Sequence, residues 1–100
     1  MKTKNEILHL LSIYKPTAER KYGLTRIGIF GSVARGDHHE GSDIDLFVVM
    51  PPKYHNYVRA AEYLEEMLGC HVDLIQDHPY IRPFFRQQIE QDGIDILTAA

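Results

Sequence analysis

Gly31-Ser32-Val33-Ala34-Arg35-Gly36, then Asp37-His38-His39-Glu40-Gly41, then Ser42-Asp43-Ile44-Asp45-Leu46-Phe47-Val48-Val49-Met50: this stretch carries the reading of the whole chain. From Ile44 to Met50 the run is apolar apart from Asp45, as expected of a central strand buried on both faces, and Pro51-Pro52 terminates it. Upstream, Leu24 to Phe30 is rich in β-branched and large apolar residues and reads as another strand, ended by Gly31. Between them Ser32 to Arg35 is expected to form a single helical turn closed by Gly36. The connection is short enough for the two strands to be antiparallel.

Working outward, Thr3 and Glu6 make a capping box in front of Ile7, Leu8, Leu11 and Tyr14, whose spacing keeps them on one helical face. Pro16 disfavours a helical conformation at Lys15, so this segment is expected to kink or to restart as a second short helix that stops before Gly23. Tyr57, Val58, Ala61, Leu64 and Leu68 recur at helical spacing opposite Arg59, Glu62, Glu65 and Glu66, with Gly69 as the stop. A third strand, His71 to Gln76, follows this helical crossover, which suggests that it runs parallel to the second. Pro79 and Pro83 frame a last helix carrying Phe84, Phe85 and Ile89, ended by Gly93, and Ile94 to Leu97 reads as a short edge strand. The expected fold is α/β (α+β): a small mixed sheet flanked by helices, in one domain over residues 1–100, without repeats or linkers.

Composition narrows the function. The chain has 100 residues, a formal net charge of -3 and an apolar fraction of 44%, with no basic excess for the phosphate backbone of long nucleic acid. Cys70 is the single cysteine, so no internal disulfide can form, and the polar opening Met1 to Glu6 does not resemble a secretory leader. No apolar run approaches the roughly 20 residues that cross a bilayer. A cytoplasmic location is expected.

Asp43 and Asp45 stand two apart at the start of a strand, so their carboxylates share one face, about 7 Å apart along the chain. Like charges this close disfavour double ionisation, and a cation removes the conflict. Oxygen-only ligands suit Mg²⁺, and in two-ion phosphoryl chemistry one ion activates the attacking hydroxyl while the other stabilises the leaving pyrophosphate. A third carboxylate is wanted there. Asp73, in His71-Val72-Asp73-Leu74-Ile75, would supply it if its strand pairs beside the second, and as an acid in an apolar strand it is expected to be buried and to need a metal or cationic partner such as Arg26 or Arg35. Gly31 permits close approach of a phosphate to the backbone, the Ser32 hydroxyl adds a donor, and Arg35 supports the site by pairing with phosphate or with a loop carboxylate. Gly-Ser or Asp-x-Asp alone is usually a turn or a solvated loop; the two together, with an acid in a later strand, are not.

These residues resemble the DNA polymerase β-type nucleotidyltransferase superfamily, whose signature is Gly-Ser, about ten residues, then Asp-x-Asp, and a third acid on a later strand. Gly31, Ser32, Asp43, Asp45 and Asp73 fill all five places, and the likeness is closest to the minimal nucleotidyltransferase (MNT) branch. The resemblance implies ATP as substrate with Mg²⁺, and an antitoxin role in which AMP passes to a tyrosine of a HEPN-domain RNase toxin. Nucleotidylation of a small molecule, which usually needs a further domain, and neutralisation of a toxin by binding alone are the competing readings.

The remaining polar residues are expected to be secondary. His38 and His39 should meet solvent, His9, His71 and His78 should be structural or exposed, and Arg82 and Arg86 should be surface charges on the last helix. Tyr54, Tyr57 and Tyr63 should lie in the core or on helix surface, with stacking on a base the alternative for Tyr54 past Pro51-Pro52, and Cys70 should be a small buried apolar residue.

Overall fold

The computed structural model describes residues 2–96. The chain runs α1 (Lys4–Tyr22), β1 (Arg26–Phe30), α2 (Gly31–Arg35), β2 (Ile44–Val49), α3 (Tyr54–Leu68), β3 (Val72–Gln76), α4 (Pro83–Asp92) and β4 (Ile94–Asp95). The sheet order is β3-β2-β1-β4: β1 pairs antiparallel with β2 and β4, and β2 pairs parallel with β3. Both expected pairings hold, and β4 is the expected edge strand, although Leu97 lies outside the described residues.

Alternation divides the sheet into two faces. Ile44, Leu46 and Val48 of β2, Ile27 and Ile29 of β1 and Val72 and Leu74 of β3 join Ile7, Leu11, Ala18, Ala60, Leu64 and Leu68 from α1 and α3 in the main core. The opposite face carries Phe47, which packs with Phe30, Ile75 and, from α4, Phe85 and Ile89. Burying each large apolar side chain contributes about 1.5–3 kcal/mol. Ile75 and Asp73 alternate onto this second face of β3, and the apolar packing of α4 gathers on Phe47 and Ile75. The acidic ends of β2 and β3 are left outside that cluster.

The Thr3 capping box forms, with Thr3 Oγ1 accepting from the Glu6 amide and Glu6 Oε1 accepting from the Thr3 amide. The expected break at Pro16 does not occur: α1 is one helix through Pro16 to the left-handed Gly23. A proline inside a helix forfeits one hydrogen bond and costs about 3 kcal/mol. Ile7 and Leu11 before it and Ala18 after it are all buried, and Tyr14 and Tyr22 both pack on the Tyr63 ring of α3, so tertiary packing outweighs the local loss.

Gly28 sits opposite Phe47 in the β1–β2 register. A Cβ there would lie 2.1 Å from Phe47 Cζ and 2.6 Å from the Ile94 carbonyl oxygen. The carbonyl belongs to the β1–β4 pairing and has little freedom to retreat. Gly28→Ala is therefore expected to destabilise the fold by about 2–3 kcal/mol, seen as a lower urea midpoint at unchanged slope.

Ion pairs tie down the far end of the sheet. Asp77, just past β3, takes Arg26 of β1 at 3.1 Å and Arg86 of α4 at 2.5 Å, and Arg26 also meets Asp95 at 2.6 Å. Arg86 is thus not the surface charge its sequence position suggests, and Arg82 caps α4 as an exposed residue. No helix among the described residues is long and apolar enough to cross a membrane.

Candidate active site

The site is built where β1 ends and β2 and β3 begin. Phe30 closes β1 in extended conformation, and Gly31 turns the chain with φ 74° into the one-turn helix α2. Gly36, at φ 81°, ends the turn by donating to the Val33 carbonyl at 3.0 Å. Gly31 is held there by space as well as by φ, because a Cβ would sit 2.3 Å from Asp45 Oδ2. The Gly-Ser turn therefore lies directly against the second aspartate of Ser42-Asp43-Ile44-Asp45.

Asp45 and Asp73 are register partners across the parallel β2–β3 pair, so their side chains leave the same face of adjacent strands. Asp43 is two residues before Asp45, just outside β2, on the same side. Asp45 is half-buried, and its pKa is pushed up to about 6, first by that burial and then by the charges of Asp73 and Asp43, with Arg35 opposing. The three expected acids are thus neighbours at the open end of the sheet. Asp73 is exposed, not buried as expected, because β3 is an edge strand and the residue stands near its start. Neither Arg26 nor Arg35 is its ion-pair partner: Arg26 is engaged by Asp77 and Asp95, and Arg35 bonds Asp37 at 3.1 Å and Asp92 at 3.0 Å. Arg35 accordingly takes the loop carboxylate foreseen for it and adds a clamp from α2 to α4.

His71 is exposed, one of the two outcomes expected of it, and it lies against the acids. Its Nδ1 is 3.3 Å from Asp43 Oδ1, and Asp43, His71 and Asp73 each present a ligand atom within 4.8 Å of the other two, a set able to hold a metal ion. The available signal was spacing, since His71-Val72-Asp73 repeats the two-residue step of Asp43-Ile44-Asp45. A pocket of ≈ 280 Å³ opens beside Asp43 and His71, bounded by the Glu40–Ser42 loop, Gly69, a half-buried Cys70 and Lys2. His38 also departs from expectation: it is half-buried and its Nε2 lies 2.9 Å from the Lys2 carbonyl oxygen. His39, His9 and His78 are exposed. Tyr54 is 82% exposed, whereas the Tyr57 hydroxyl donates to the Leu74 carbonyl in the core.

A glycine-serine turn backed by one acid, with two more acids on the same and the adjacent strand, is the motif in its expected context, and the sequence profile of the nucleotidyltransferase domain matches residues 11–96. The chain belongs to the nucleotidyltransferase family. A Methanocaldococcus jannaschii protein designated a candidate protein adenylyltransferase is 40% identical to this nucleotidyltransferase over 98 residues, covering 94% of this chain and 98% of its own. The protein adenylyltransferase MntA of Thermococcus cleftensis is 38% identical over 77 residues, covering 75% of this chain and 78% of its own. Among solved structures, a chain from the tri-AMPylated Shewanella oneidensis HEPN toxin in complex with MNT antitoxin superposes with a TM-score of 0.64 at 21% identity, over 92% of the nucleotidyltransferase and 73% of that chain. The resemblance to minimal nucleotidyltransferases, and the mixed sheet it implied, therefore hold.

Proposed function

We propose that this nucleotidyltransferase transfers AMP from ATP to a tyrosine hydroxyl of a HEPN RNase toxin and acts as its antitoxin. The observation that carries the reading is the convergence of Asp43, Asp45 and Asp73 beside the Gly31-Ser32 turn. The name of the Thermococcus relative and the AMPylated toxin bound by a protein of the same fold support the acceptor class.

Carboxylate oxygens at the mouths of two adjacent strands fit Mg²⁺: burial first, and then the charges of Asp73 and Asp43, lift the Asp45 pKa, and a cation would relieve the repulsive part. Asp43, Asp45 and Asp73 would hold it, as two ions. Bound Mg²⁺ supplies charge neutralisation for the triphosphate and the departing pyrophosphate. Gly31 and Ser32 receive the β- and γ-phosphates through backbone N–H groups and the serine hydroxyl. The acceptor oxygen attacks the α-phosphorus, the bond to the pyrophosphate oxygen breaks, and the acceptor's proton passes to Asp73, whose exposure lets an incoming side chain reach it. A pocket beside Asp43 and His71 leaves room for an acceptor side chain.

The test is incubation with α-labelled ATP, Mg²⁺ and a HEPN-domain RNase. Label is expected on the partner, lost when its acceptor tyrosine becomes phenylalanine, together with loss of its RNase activity. Toxin silencing without label, unaffected by Asp43→Asn, would show that binding alone neutralises it.

A further inference from the structure

His71 stands beside Asp43 much as Asp73 stands beside Asp45. The Ile44 amide donates to the His71 carbonyl at 3.0 Å, which carries the parallel β2–β3 register back past the Ile44–Val72 pair to the residues just outside the strands. His71 Nδ1 is 3.3 Å from Asp43 Oδ1, while Nε2 lies 3.9 Å from Glu65 Oε1 on α3. Glu65 is itself held in place, accepting from the Val72 amide at 3.3 Å. The imidazole can meet the Asp43 oxygen in two ways, by donating a proton from Nδ1 or, with Nδ1 unprotonated, by sharing a cation with it. A metal-bound histidine commonly turns its far ring nitrogen to a carboxylate, and Glu65, 3.9 Å from Nε2, stands on that side of the ring. The Asp73 carboxylate completes the set within 4.8 Å.

We propose that His71 Nδ1 is a ligand of the divalent cation held by Asp43 and Asp73, and that this nitrogen donor makes the site accept imidazole-binding ions such as Co²⁺ in addition to Mg²⁺. Oxygen donors alone suit Mg²⁺, whereas imidazole strengthens binding of the later first-row ions. The inference rests on the reading of these acids as a cation site.

Co²⁺ alone, titrated into the full chain, tests it. The wild type is expected to show a paramagnetically shifted, solvent-exchangeable imidazole N–H resonance in the proton spectrum, lost in His71→Ala. Calorimetry is expected to give His71→Ala about 10-fold weaker Co²⁺ binding, with Mg²⁺ affinity changed less than about twofold. The histidine side chain is exposed, so the alanine variant should fold normally, which circular dichroism checks. A bound Co²⁺ without that resonance, or a resonance that persists in His71→Ala, overturns the assignment of His71 while loss of binding in Asp43→Asn leaves the acidic site standing. Co²⁺ and Mg²⁺ binding indifferent to Asp43→Asn would instead remove the cation site itself.

Discussion

Asp45→Asn is expected to abolish transfer and at the same time to stabilise the cation-free protein. Asparagine keeps the shape but removes the negative charge from the site proposed to gather cations around a triphosphate; the loss of several kcal/mol of such stabilisation would lower the rate by at least about 10³-fold. The stability change has the opposite sign. In the folded chain Asp45 holds its proton up to about pH 6, against 3.8 for the ordinary side chain. Between those values the folded state binds more protons than the unfolded state, so stability falls as pH rises through this window, and the whole penalty is present above pH 6. A shift of this size corresponds to roughly 3 kcal/mol, and solvent reaching a half-buried carboxylate reduces it to about 1 kcal/mol. Thermal melts without divalent cations should show Asp45→Asn above the wild type at pH 7.5 and the gap closing towards pH 4. Mg²⁺ should raise the wild-type melting temperature more than that of the variant, which keeps Asp43 and Asp73. A variant less stable than the wild type at pH 7.5 would contradict the account of Asp45 as a charge confined by burial and by its acidic neighbours.

The second large effect is expected at Gly31, and Gly36 supplies the control. Both have positive φ, 74° and 81°, so alanine at either pays a similar conformational penalty of about 1 kcal/mol. Only at Gly31 does the new methyl meet the site, 2.3 Å from Asp45 Oδ2; at Gly36 nothing lies within 4 Å. Displacing a reacting group by about 1 Å can reduce a rate by about 10²-fold. Single-turnover labelling should therefore fall at least 10²-fold in Gly31→Ala and only slightly in Gly36→Ala, with the two proteins showing comparable urea midpoints. Equal rate losses would mean that backbone conformation, and not the approach of Gly31 to Asp45, governs the turn.

Local signals made much of this molecule legible beforehand. Thr3 and Glu6 marked a helix start because a capping box satisfies its own amides without help from elsewhere. Gly23, Gly36 and Gly69 marked stops because the left-handed C-cap is written into glycine. The phase of Asp43 and Asp45 followed from strand alternation alone. Pro16 misled for the opposite reason: its cost is local, while the burial of Ile7, Leu11 and Ala18 and the contacts with Tyr63 that outweigh it are distant in sequence. Arg86 likewise read as a surface charge until Asp77 was brought against it.

By itself, then, the amino-acid order determined that two carboxylates would leave one face of a strand after a glycine-serine turn, since both facts depend on residues only a few positions apart. Tertiary structure alone decided which neighbours those carboxylates would have. The parallel β2–β3 register sets Asp73 beside Asp45 and His71 beside Asp43 and exposes Asp73 at the sheet edge, while the packing of α2 against α4 sends Arg35 to Asp92. Strand order and register come from the packing of whole faces, Ile44, Leu46 and Val48 against α1 and α3 and Phe47 against α4, and a one-residue slip would turn every acid to the wrong side.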